Sequence, residues 1–199
     1  MEEKKISEQE SLFIIQQMIQ TAKAEQKDDG KGWIIWGWLI FLASIFTYFN
    51  LQIQWLDVFF FWNMFGLVTL VLLLYKVVEY FFGKKRYRVK TYTNDLLKKL
   101  NFGFIIFLVL IIFSMNLGRD PIRGFALLLG LYGFWILIYG TLLNFKPSII
   151  GAYITWALAF ASMFVSQLEW TMLLHAIAVL FGYIIPGHIA YREFNKVKH

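Results

Sequence analysis

Apolar residues run along this chain in long blocks separated by short polar stretches, a pattern that matches neither the alternation of strands nor the two-faced period of a soluble bundle. Blocks of roughly 20 apolar residues predict helices that cross a membrane. Six follow one another, at about residues 33–49, 58–75, 100–117, 122–144, 148–166 and 170–191. The breaks between them are legible too. Asn50, Gln52, Gln54 and Asp57 interrupt the first pair, "NLGRDPIRG" places Gly118 to end one helix and Pro121 to begin the next, and "FKPS" and Gln167 to Glu169 part the rest. Thr93 or Asn94 is expected to cap a helix that starts at Asp95 and runs into the third span. The expected fold is therefore all-α: an integral membrane six-helix bundle of three helix hairpins over residues 33–191. A cytoplasmic amphipathic helix and linker (1–32) precede it, and a cytoplasmic tail (192–199) follows.

The N-terminal segment follows a different rule. Ser7 and Glu10 form a capping box, Lys23 and Lys27 favour the C-terminal end, and Gly30 stops the helix. At 3.6 residues per turn Leu12, Ile15, Met18, Ile19 and Ala22 fall on one stripe. Helices that lie on anionic lipid carry lysine and arginine on their polar face. Here the flanks are Gln16, Gln17, Gln20 and Thr21, and no charge occurs from Ser11 through Ala22. Residues 7–27 thus suit contact with protein: the molecule's own loops, a second copy in a homo-oligomer, or another polypeptide.

Composition agrees with the pattern, since 59% of the 199 residues are hydrophobic and 16% charged, too apolar a chain for one soluble domain. Charge then sets orientation. With the N-terminus inside, the inner segments hold Lys23, Lys27, Lys31, Lys76, Lys98, Lys99, Lys146, Arg192 and Lys196 among others, whereas the outer loops hold only Arg119 and Arg123. Both termini are expected in the cytoplasm of a bacterial inner membrane, and the charged stretch ahead of the first apolar block predicts no cleavable signal peptide. The loop "GKKRYRVKTYTNDLLKK" is basic with interleaved tyrosines, and beside a bilayer Lys84, Lys85, Arg86, Arg88 and Lys90 are expected to meet anionic lipid headgroups rather than nucleic acid.

Candidate chemistry is sparse. There is no cysteine, hence no disulfide, thiol nucleophile or cysteine-type zinc site. His175 is the one titratable side chain well inside a span, His188 lies near the inner surface, and their separation suits no shared metal. Lys76 and Glu79 stand one turn apart where the second span leaves the membrane, and Asp120 lies beside Arg119 and Arg123 as a local ion pair. No catalytic set, cofactor site or metal site is expected. Asn63, Thr69, Thr155 and His175 are the candidate polar groups within the membrane. Ala126 with Gly130, Gly133 with Gly140, and Ala157, Ala161 and Ser162 favour close helix packing, within the bundle or between copies. "WLIFLASIF" at Trp38 echoes "WALAFASMF" at Trp156, which leaves open a parallel repeat or chance.

"ISEQESL" followed by "MIQTAK", "WGW" at the first span, "GLYGFWILIYGTLLNFKPSIIGAYITWA" and "GYIIPG" in the last span together resemble an uncharacterised family of small multi-pass bacterial inner-membrane proteins. The resemblance implies fold class and compartment, hints at a regulatory role, and assigns no site residue. Three functions compete at this point. The first is a non-enzymatic assembly, regulatory or sensory module whose N-terminal helix contacts protein. The second is a small oligomeric transporter or channel lined by Asn63, Thr69, Thr155 and His175. The third, a lipid enzyme using Asp120, has the least support.

Overall fold

The computed structural model describes residues 12, 13, 30–82, 92–118 and 120–198. Within them all regular structure is helical: α1 Lys31–Ile53, α2 Phe60–Phe82, α3 Tyr92–Gly118, α4 Pro121–Leu142, α5 Lys146–Met163 and α6 Leu168–Val179. A π-helical segment, Leu180–Ile184, joins α6 to α7, Ile185–Lys198, so the last two helices form one continuous rod. Four of these helical stretches are long and apolar enough to cross a membrane: α1, the 96–118 part of α3, α4, and the rod from Leu168 to Lys196. The described residues thus form an all-helical fold with the long apolar helices of a membrane protein. In α2 a shorter apolar stretch spans Phe60–Leu72, and α5 is 18 residues long.

The core is built by α1, α4, α5 and the α6–α7 rod. The buried residues of α1 are Trp33, Gly37, Ile40, Ala43, Ser44, Thr47 and Asn50, a helical period that gives one face of small and neutral side chains to the rod. Ser44 and Thr47 donate their hydroxyls to the carbonyls of Ile40 and Ala43 one turn back, which satisfies them without a partner helix. On α4, buried positions wrap most of the helix, from Gly124 to Gly140, because α3, α5 and α6 all pack on it. By contrast α2 packs chiefly on α1, and α3 chiefly on α4, and no described residue of either is fully buried. Their apolar side chains, among them Leu67, Leu70, Val71, Phe107, Val109 and Leu110, face outward.

Glycine sets the closest approaches. A Cβ at Gly133 would strike the Trp156 indole, and that indole Nε1 donates to the Gly130 carbonyl at 3.0 Å. One glycine thus makes room for the ring that its neighbour's carbonyl holds. The turn from α4 to α5 is equally tight. Asn144, at φ 51°, takes the left-handed position, its N–H donates to the Thr141 carbonyl, and the Phe145 N–H donates to Gly140. These bonds close α4 in a Schellman motif. The π segment has a local cause: Pro186 has no N–H to offer the carbonyl four residues back at Gly182, and the Ile185 N–H reaches to Leu180, five back, instead.

Several helix ends depart from expectation. Thr93 and Asn94 stand inside α3, which already includes Tyr92, so neither caps it. The final helix does not stop at Tyr191 but runs through Lys198, since the segment after Pro186 is amphipathic and has apolar neighbours on one side. Trp38 and Trp156 occupy unlike places: Trp38 is exposed and edge-on to Phe41, whereas Trp156 is held by α4.

Candidate functional site

Two places in the described structure gather polar or aromatic groups. The first is His175 on α6. It is fully buried, and neither ring nitrogen has a hydrogen-bond partner. Three aromatic rings stand nearly perpendicular to it: Trp62 of α2 at 5.3 Å between centroids, and Phe125 and Tyr132 of α4 at 5.6 and 5.7 Å. Trp62 in turn donates its indole N–H to Met172 Sδ at 3.2 Å and tilts against Phe125 at 4.7 Å. The cluster ties the otherwise peripheral α2 to the core, through rings that prefer this edge-to-face arrangement. His175 is central to it as a flat, aromatic wedge.

None of the remaining polar candidates is hydrogen-bonded to His175. Asn63 is exposed on α2. Thr155 is buried, and its hydroxyl approaches the carbonyls of Gly151 at 2.8 Å and Ala178 at 3.4 Å, bridging α5 to α6. Thr69 Oγ1 is buried with no partner. The polar residue that the composition of the first loop concealed is Asn50, whose amide donates to the carbonyls of Leu56 and Asp57 and accepts from the Leu56 N–H, bracing the turn from α1 to α2. Only its place at the end of an apolar block hinted at that role. Asp120 accepts from the Arg123 N–H at 3.2 Å and pairs with the Arg123 side chain at 3.3 Å, so it caps α4. His188 is exposed.

Leu12 is helical and exposed. Ile15, Met18, Ile19 and Ala22, and likewise Lys84, Lys85, Arg86, Arg88 and Lys90, lie outside the described residues.

The second place is a corner where the start of α1, the α4–α5 turn and α7 meet. It encloses a cavity of about 160 Å³ walled by Trp33, Tyr139, Phe145, Pro186 and Phe194, with Asn144, Ser148 and Glu193 as its polar members. Trp33 packs on Tyr139 and Tyr183 at 4.8 and 5.0 Å between centroids. Beside it α1 begins at Gly30, at φ 69°, where a Cβ would strike the Gly187 carbonyl. Only glycine combines that backbone with that approach. The chain entering from the N-terminal segment is thus seated against α7 at its last residue before the bundle. No short sequence motif announces this corner, because its walls come from three separate stretches, with Trp33 more than 100 residues from the other two.

Compared with known protein families, curated proteins and solved structures, the chain matches none.

Proposed function

We propose that this protein is a non-enzymatic module of a bacterial inner membrane that crosses the bilayer six times with both termini in the cytoplasm. Its role is assembly, regulation or sensing, with helix 7–27 contacting a protein partner or a second copy. The observation that carries this reading is the seat of Gly30 against Gly187 and Tyr191. Whatever binds the N-terminal helix pulls on the joint between α1 and α7, and so acts on the bundle directly. A swivelling linker at that point would transmit nothing.

Four crossings rest on length and apolarity together, and the other two, α2 and α5, on length and on the turns that join them to their neighbours. The 18 residues of α5 extend about 27 Å, close to the roughly 30 Å hydrocarbon layer. The turns of two to four residues that join α3 to α4, α4 to α5 and α5 to α6 suit antiparallel neighbours. Outward-facing apolar side chains on α2 and α3 are then in lipid, and the basic loop joining them lies among anionic headgroups. The transport reading has less support, because no hydrogen bond links His175 to Asn63, Thr69 or Thr155.

Native mass spectrometry of the intact protein in lipid particles, with and without residues 1–29, tests the assembly role. The expected result is a second copy or another polypeptide on the full chain that is lost on truncation. A bare monomer in both cases would remove the proposal.

A further inference from the structure

We propose that the corner cavity between α1, the α4–α5 turn and α7 is a binding site for a small organic cation, an alkylammonium group carried either by a free amine or by a lipid headgroup. Size comes first. An apolar cavity of about 150 Å³ holds a ring of about six non-hydrogen atoms, so about 160 Å³ suits a trimethylammonium or ethylammonium group. A longer body would have to leave through the mouth.

The walls then set the sign of the charge. Trp33, Tyr139, Phe145 and Phe194 line the space, and a cation is attracted to aromatic rings through their quadrupoles. Glu193 supplies a full negative charge, and it lies on the same face of α7 as Pro186, Ala190 and Phe194, at spacings of three to four residues. The C-terminal end of α4, which carries partial negative charge, closes at Leu143 and Asn144, both part of the lining. The first turn of α5 pulls the other way, and its Ser148 also lines the space. That partial charge is outweighed by a carboxylate. Lys31, Lys146, Arg192 and Lys196 are exposed, and among the described residues no basic side chain lines the cavity. Asn144 and Glu193 are exposed as well, so the polar end of the cavity is open to a ligand.

The site is independent of whether residues 7–27 contact a partner, so the two proposals fail separately. The test is titration of the full-length protein in a neutral detergent with choline and with tetramethylammonium, at constant ionic strength, followed by calorimetry and by the thermal unfolding midpoint. A neutral isostere of choline, 3,3-dimethyl-1-butanol, is the control. Both cations are expected to bind saturably and raise the midpoint. The alcohol is expected to bind at least about tenfold more weakly, and Glu193→Gln to weaken choline by a similar factor. Because Glu193 is exposed, that variant keeps the fold, and Phe194→Leu gives a second loss of affinity through the aromatic wall. Equal binding of the alcohol and choline, unchanged choline binding by Glu193→Gln, or no saturable response to either cation would each overturn the proposal. Repeating the titration in lipid discs with and without ethanolamine lipid separates the two sources. Loss of the choline response only where the lipid is present identifies a headgroup as the occupant, and its persistence in both identifies a free amine.

Discussion

His175 stands fully buried among Trp62, Phe125 and Tyr132, rings that come from two other helices, and its ring nitrogens have no hydrogen-bond partner. A buried polar group without a hydrogen bond costs roughly 1–3 kcal/mol. Replacing it with an apolar side chain of similar volume removes that cost while keeping the wedge filled. His175→Leu is therefore expected to leave the thermal midpoint in detergent unchanged or to raise it, whereas a proton or ion path through His175 predicts lost flux in liposomes. A midpoint lowered by several degrees would mean that the imidazole nitrogens are satisfied in the membrane. Asn50 teaches the complementary lesson. In sequence it is one polar residue among several in a loop, and its three bonds across the turn depend on where α1 ends.

At the scale of elements, the long apolar blocks were legible and their ends less so. Helix α1 begins at Lys31 and continues to Ile53, and the final rod passes Pro186 without stopping. Proline usually ends a helix, but here the π turn absorbs the missing donor while α1 and α5 hold the rod on both sides of it. Glycines of identical appearance in the sequence also separate into two kinds. Gly30 combines a positive φ with contact to α7, and Gly182 would place a Cβ 2.7 Å from Thr155 Oγ1 and 2.8 Å from Ile136. Gly66 and Gly103 have nothing within 4 Å of a Cβ. Gly30→Ala and Gly182→Ala are expected to destabilise by about 1–3 kcal/mol each. Gly66→Ala and Gly103→Ala are expected to be neutral or slightly stabilising, since alanine is the better helix former. Thermal unfolding of the four variants side by side checks this. Equal effects at all four would deny the close approaches of α1 to α7 and of α5 to the π segment.

For the whole molecule, the arrangement is a core of α1, α4, α5 and the α6–α7 rod, with α2 and α3 applied to its outside. Hydropathy could not distinguish these roles, because a helix facing lipid and a helix facing protein are both apolar all round. What separates them is the small-residue content of α1, α4 and α5, where glycine, alanine, serine and threonine recur at helical spacing. The corner cavity was illegible for a different reason: it exists only once three distant stretches meet.

Six crossings with both termini inside is the claim on which the lipid contacts, the partner helix and the position of the cavity all rest. The absence of native cysteine allows single cysteines to be placed at Gln54, Arg123 and Gln167 in the expected outer turns, and at Lys146 and Lys196 on the expected inner side; all five positions are exposed. Labelling of intact spheroplasts with a membrane-impermeant maleimide is the most direct measurement. The three outer positions should label at once, and the two inner ones only after the membrane is opened. Labelling of Lys146 or Lys196 from outside, or protection of any one of Gln54, Arg123 and Gln167, would contradict the account.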